Sequence, residues 1–367
     1  YQKLEQWEQV MAFKDCTCLL HDTVPDAWEA SSEAFEGEGG LHAPDGVQAE
    51  RLQGGDAVYE MPAAALQYRL RLAPGERRCF RFLFGPARDE SEIRRLRREY
   101  LEPNSFSAAR EGYARYAREG AGCITVSTPD PEFDTFVNSW LPRQVFYHGN
   151  TNRLSTDPQT RNYLQDALGI SYVQPGLARA AFLKTLAQQE DNGALPEGVR
   201  LFEGAELKYI NQVPHTDHDA WLPVCLQAYL DETGDHALLD ETVVGESVFQ
   251  RADRAMAHLV ENLDERGLSL LAQGDWCDPL NMAGHKGKGV SGWLSIATVH
   301  ALRCWASICS DAGRQERAAH WRDKATETEA SIQQHLWDGQ WFARGITDDG
   351  RVFGSHADSE GSLFLNP

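Results

Sequence analysis

The chain has 367 residues, 42% of them hydrophobic and 10% aromatic, and its 35 Lys and Arg stand against 55 Asp and Glu for a formal charge of −20. That is enough apolar material for the cores of about two or three domains, which excludes a disordered chain. The negative surplus repels nucleic acid and anionic lipid, and no apolar run approaches the ~18 residues of a membrane-spanning helix, so the expected partner is a small or neutral ligand, with no nucleic acid and no membrane.

Residues 1 to 84 read as β structure, with short alternating runs at Ala57–Glu60, Leu66–Leu72 and Arg78–Leu83 separated by turns such as Pro74-Gly75. Residues 85–127 read as a helical linker, rich in helix formers with charges on most turns. From Thr128-Pro-Asp-Pro-Glu-Phe the character changes, because Asp130 is a good N-cap and Pro131 suits the first helical position. Helices are expected near 132–147, 176–190, 218–232, 246–263, 290–311 and 314–337, joined by loops long enough to carry function. The chain starts at Tyr1 without a Met and stops at Gly361-Ser-Leu-Phe-Leu-Asn-Pro as another amphipathic segment begins, so both ends read as truncated. Of eight cysteines only Cys16 and Cys18 are close, and no spacing matches a zinc site; they read as reduced thiols.

Three segments concentrate chemistry. Gly274-Asp-Trp-Cys-Asp-Pro-Leu-Asn places Asp275 and Asp278 beside Trp276. An indole packs on the apolar face of a pyranose, and two near carboxylates can divide acid and base roles; the plain alternative is that both aspartates cap turns. In Pro214-His-Thr-Asp-His-Asp-Ala-Trp-Leu, residues Asp217, His218, Asp219 and Trp221 suit sugar hydroxyls, with metal binding and helix capping as the alternatives. Arg161-Asn-Tyr-Leu-Gln-Asp offers Arg161 and Asp166 as a clamp on vicinal hydroxyls or an anion. No metal and no cofactor is expected.

In this order and at these separations, the three segments resemble glycoside hydrolase family 94, the family of cellobiose and chitobiose phosphorylases. The resemblance implies a multidomain α+β protein: the end of a β-sandwich (1–84), a helical linker (85–127) and the first part of an (α/α)6 barrel (128–367). It implies that Arg161, Gln165 and Asp166 line the subsite of the cleaved glucosyl, that Asp217, His218, Asp219, Trp221 and Leu222 match a second motif, and that Asp275 to Asp278 match the segment whose second aspartate is the general acid. Cys277 stands where the family has Asn, and Asn162 where Asp is common. Inorganic phosphate would be the co-substrate and nucleophile, so one acid, Asp278, suffices to protonate the leaving oxygen. Asp275 and Trp276 would shape the pocket, and Arg153 or Arg161 would help hold phosphate. The segment through Gly284-His-Lys-Gly-Lys-Gly is closest to members cleaving 4-O-β-glucosyl-gluconate, with Lys286 and Lys288 as the charge for gluconate; their plain reading is as solvated loop cations, and cellobiose is the alternative substrate. A hydrolase on the same barrel, a non-catalytic sugar-binding protein and a domain of a cyclic β-glucan synthase are the competing readings. The complete protein is expected to be a cytoplasmic homodimer, and this portion alone to be inactive.

Overall fold

A computed structural model describes residues 16–57, 60–121 and 125–361, and the chain divides into two compact units, Tyr1–Arg118 and Glu119–Pro367. In the first, β1 (Cys16–His21) pairs antiparallel with β4 (Phe82–Ala87), Cys16 facing Ala87. Between them in sequence, β2 (Ala27–Ser31) pairs antiparallel with β3 (Pro62–Gln67), with a register shift between Glu29 and Ser31. Short helices α1 (Ser32–Glu36) and α2 (Asp45–Gln48) follow β2. The strands therefore lie earlier and later than the alternating runs. Leu70 and Leu72 alternate as a strand should, yet they are exposed and have no strand opposite them among the described residues; alternation alone does not hold a strand without a ladder partner. Of the run Ala57–Glu60, residues 58 and 59 lie outside the described residues. Helix α3 (Glu90–Leu96), capped by the Asp89 carboxylate on Glu92 N at 2.9 Å, passes through a π turn at Arg97–Leu101 before α4 (Pro103–Glu119).

In the second unit, Asp130 accepts from Glu132 N and Phe133 N at 2.9 and 3.1 Å, and Pro131 opens α5 (Pro131–Thr135). A π turn, Phe136–Trp140, carries α5 into α6 (Leu141–Thr151) as one helical rod. Phe133, Phe136, Trp140 and Leu141 are exposed at helical spacing along it, an apolar stripe of the kind expected where helix faces lack neighbours. Then come α7 (Thr160–Ile170), α8 (Pro175–Leu186), α9 (His218–Thr233), α10 (Val248–Glu261), α11 (Gly292–Asp311) and α12 (Gln315–His335). All but α7 match expected helices. Helix α7 packs against α6, α8 and α9, and α9 against α11, which packs in turn on α12. The core holds Leu164, Phe182, Leu222, Leu226, Trp305 and Trp321, all fully buried. Both buried indoles find an acceptor, Trp305 Nε1 at 3.0 Å and Trp321 Nε1 at 2.8 Å from the Asp253 carboxylate on α10.

Two small sheets tie down loops. One joins β5 (Thr242–Val243) to β6 (Glu246–Ser247), ahead of the Ser247/Gln250 capping box of α10. The other orders β7 (Val290–Ser291), β8 (Gly345–Ile346) and β9 (Val352–Phe353), bringing the start of α11 onto a segment beyond α12. Gly292 and Gly345 permit that approach: a Cβ at Gly292 would meet Ala343 O at 2.2 Å, and one at Gly345 would meet Val290 O at 2.4 Å. Cys18, Cys79, Cys225, Cys277, Cys304 and Cys309 are free thiols, whereas Cys123 lies outside the described residues. Among the described residues no helix is long and apolar enough to cross a membrane.

Candidate active site

The three segments meet at one guanidinium. Arg161, in the first turn of α7 and only 4% exposed, donates from Nη1 to both oxygens of Asp217 at 3.1 and 3.2 Å and to the backbone oxygen of Asp275 at 2.8 Å. Its Nη2 donates to Asp278 Oδ1. Asp217 is fully buried at the start of α9 and also accepts from Trp221 Nε1 at 3.2 Å, so its carboxylate is spent on fixing the site and does not cap the helix. Asp278 opens a short 3₁₀ turn, Asp278–Leu280, and its side chain is 48% exposed. Oδ1 lies within the Arg161 contact and 3.3 Å from His215 Nε2, whereas Oδ2 makes no hydrogen bond among the described residues. Asp278 thus presents one anchored and one open oxygen.

His215 is held in turn by Glu197. Glu197 Oε2 lies 3.3 Å from His215 Nδ1 and 3.1 Å from His218 Nε2, and His215 Nδ1 is 2.8 Å from the Val213 carbonyl. Burial favours the neutral ring, but the Glu197 hydrogen bond and charge outweigh it and raise the His215 pKa above its usual value. For Glu197, burial is likewise outweighed, by the bonds from His215 and His218, and its pKa is lowered. These three residues bring their donor atoms within 4.8 Å of one another, the composition of a two-histidine, one-carboxylate metal site. The Nδ1 to Val213 contact requires a proton on that nitrogen, so it has no lone pair for a metal; the group reads as a hydrogen-bonded bridge, with His218 Nδ1 buried and without a hydrogen bond among the described residues. The bridge lines a cavity of about 260 Å³, together with Asp219, His258 and Asn262.

Other expected site residues are placed differently. Arg161 and Asp166 do not form a clamp: five residues apart on α7 they point roughly 140° apart. Asp166 is instead bound by Arg153, from Nε at 2.7 Å and Nη2 at 2.8 Å, and Arg153 adopts a left-handed φ of 55° in the turn after α6. Both candidate phosphate arginines, Arg153 and Arg161, have carboxylate partners. Gln165 shares the Arg161 face one turn on and is half-buried. Asp219 is 4% exposed, its Oδ1 accepts from Leu195 N at 2.8 Å and its Oδ2 lies 2.6 Å from His258 Nδ1. His218 is buried on Glu197, and Trp221 is half-buried with its ring 6.3 Å from that of Trp293.

Asp275 is fully buried, gripped by Arg344 Nη2 at 2.7 Å on each oxygen, by the Ser291 hydroxyl and by Cys277 N at 2.8 Å. Its Oδ1 thereby closes the turn, while Trp276 beside it is half-buried. Arg344, Ser291, Glu197 and His258 were invisible as site residues because their partners lie far away in sequence and no local motif marks them.

Residues 116–367 match the profile described as the glycosyl hydrolase 94 superfamily catalytic domain, and residues 2–103 that of the glycosyl hydrolase 94 supersandwich domain. The chain belongs to glycosyl hydrolase family 94. It is 55% identical to cellobionic acid phosphorylase of Neurospora crassa over 372 aligned residues, covering 100% of this chain and 47% of that protein. It is 34% identical to 3-O-beta-D-glucopyranosyl-beta-D-glucuronide phosphorylase of Paenibacillus borealis, covering 94% of this chain and 46% of the relative. With solabiose phosphorylase of the same organism the identity is 31%, over 93% and 44%. The chain thus spans about half the length of these relatives. Its architecture is a family 94 supersandwich domain followed by a helical catalytic portion, a mixed α+β arrangement.

Within this family 94 chain the glycine-rich loop after Asp278 is pinned by one carboxylate. Asp348 accepts from the backbone nitrogens of Lys286, Lys288 and Gly289 at 2.8, 2.9 and 2.9 Å. Burial would raise the Asp348 pKa, but these amides outweigh it and lower it. Both lysine side chains are exposed, and Lys286 Nζ lies 3.1 Å from Asp349, itself exposed, so that pair is solvent-screened.

Proposed function

We propose that the complete protein is an inverting phosphorylase that cleaves 4-O-β-glucosyl-gluconate with inorganic phosphate, giving α-glucose 1-phosphate and gluconate. A phosphate oxygen attacks the anomeric carbon from the face opposite the leaving group, the glycosidic C–O bond breaks, and Asp278 delivers its proton to the departing oxygen. No second carboxylate is required, because phosphate is already an anion at neutral pH. The observation that carries this reading is Asp278 itself: half-exposed, its Oδ1 anchored by Arg161 and His215, its Oδ2 open to a substrate. The likeness to cellobionic acid phosphorylase supports the choice of gluconate.

In this reading Trp276 stacks on the glucosyl ring, Gln165 and Asp166 contact its hydroxyls, and Arg161 with Asp217 holds the acid in place. Lys286 and Lys288 supply charge for the gluconate carboxylate from a loop whose backbone Asp348 has already ordered. Arg153 or Arg161 helps hold phosphate, together with residues of the complete protein beyond this chain. The helices of residues 128–367 form part of an (α/α)6 barrel behind a linker spanning 85–127 and a sandwich portion up to residue 84, and the whole acts as a homodimer. Conserving the bond energy in a sugar phosphate is useful where that product is metabolised, which places the enzyme in the cytoplasm.

The test is phosphate release from α-glucose 1-phosphate by the complete protein, offered gluconate, glucose, N-acetylglucosamine or water, with Asp278→Asn as control. Release with gluconate, lost in the control, is the expected result. Release with glucose alone would reassign the substrate to cellobiose, and no release with any acceptor from folded protein would overturn the phosphorylase reading.

A further inference from the structure

We infer that Arg344 is a positioning residue that sets the aim of this acid through Asp275; the inference rests on Asp278 being the acid. Arg344 is 4% exposed and immediately precedes β8, 69 residues beyond its partner. Its Nη2 reaches both Asp275 oxygens at 2.7 Å, while Nη1 donates to the Ser291 hydroxyl at 3.1 Å. Ser291 donates to Asp275 Oδ2, and its hydroxyl oxygen accepts from Leu294 N at 2.8 Å to cap α11. The Asp275 carboxylate is thereby tied both to a helix N-terminus and to a strand end.

What Asp275 does with that fixity is directed at Asp278. Its Oδ1 accepts from Cys277 N at 2.8 Å, closing the turn that delivers Asp278. Its backbone oxygen accepts from Arg161 Nη1 at 2.8 Å, on the same guanidinium that binds Asp278 Oδ1. Two arginines therefore grip Asp275 from opposite sides of the residue, one by the side chain and one by the main chain, and Asp278 is carried three residues on. A general acid works only within hydrogen-bond reach of the leaving oxygen, so a displacement of this turn is felt in proton delivery more than in binding. Arg344 supplies two nitrogens, Nη2 to the Asp275 carboxylate and Nη1 to the Ser291 hydroxyl, a two-point hold in fixed geometry that a lysine at that position cannot reproduce.

The experiment compares the complete protein with Arg344→Lys, with the neutral pair Asp275→Asn/Arg344→Gln, and with Asp278→Asn, on two donors in the presence of phosphate. One donor is the β-glucosyl disaccharide. The other is 2,4-dinitrophenyl β-glucoside, whose leaving group departs as the phenolate without a proton. Arg344→Lys is expected to lower kcat on the disaccharide by about tenfold or more with KM within about threefold, and to leave the dinitrophenyl rate within about threefold, the same pattern as Asp278→Asn in milder form. The neutral pair, which leaves no buried charge unpaired, is expected to fold and to show the same selectivity. If the two donors fall equally in Arg344→Lys and in the neutral pair, Arg344 is merely structural and the inference fails; it fails also if neither donor is affected. If Asp278→Asn itself loses both donors equally, the assignment of the acid fails first and the inference falls with it.

Discussion

Arg161→Met offers a test of how the site is held together. Arg161 is 4% exposed and Asp217 fully buried, so the substitution leaves a carboxylate out of water to which, among the described residues, only Trp221 Nε1, 3.2 Å away, donates a side-chain hydrogen bond. Removing one partner of such a buried pair costs about 3–5 kcal/mol, because the remaining charge is uncompensated. For a domain of this size each kcal/mol lowers the melting temperature by about 2–4 °C, so the expected drop is roughly 6–20 °C. Adding Asp217→Asn removes the stranded charge while keeping an oxygen for Trp221, and should restore most of that loss. It should not restore turnover in the complete protein, because Asp278 still lacks its guanidinium. Calorimetry at neutral pH gives the answer: a single variant melting within about 2 °C of the parent, or a double variant no more stable than the single, would refute this account of the buried pair.

Two further outcomes follow from the same physics. Glu197 has its folded pKa below the ordinary 4.5 and His215 has its own above the ordinary 6.5. The Glu197 contribution is present above its unfolded value and lost as pH falls through its folded value, and that of His215 is present below its unfolded value and lost as pH rises through its folded value. Their joint stabilisation is therefore greatest between about pH 4.5 and 6.5, and Glu197→Gln should lower the melting temperature within that window and flatten its fall on either side; an unchanged curve would contradict the bridge. Gly292→Ala puts a Cβ 2.2 Å from Ala343 O, so β7 and β8 must part at a cost of about 1–3 kcal/mol, read from the midpoint of urea unfolding; an unshifted midpoint would show the strands can yield freely.

The helices after residue 130 were legible because their signals are local. Asp130-Pro131 caps and opens one, and apolar spacing sets the rest. Helix α7 escaped notice because Gln159 offers no side-chain cap and its buried face includes Thr160 and Arg161, so the polar letters read as a binding loop. The strands of the first unit were misplaced for a different reason: Tyr68 to Leu72 alternate, but ladders depend on partners that alternation does not reveal. In the site, Arg161 and Asp278 stood out by residue type and motif. Their union did not, since nothing in the letters says that one guanidinium joins Asp217, Asp275 and Asp278. The aspartates also look alike in sequence, yet Asp275 and Asp219 are sealed inside while Asp278 opens to solvent, a distinction made by Arg344, His258 and the loops that cover them.

The Arg161 contacts span 56 residues to Asp217 and 117 to Asp278, and Arg344 reaches back 69 to Asp275. As the chain emerges from the ribosome, Arg161 has no partner in Asp217 until α9 begins, and the turn bearing Asp278 lacks its Arg344 anchor until the strand after α12 is made. The catalytic geometry is consequently a late event of folding, dependent on closing long loops, while the helices that frame it can form early from local contacts. A nascent chain halted before Arg344 would carry every letter of the three motifs and still lack the clasp that aims them.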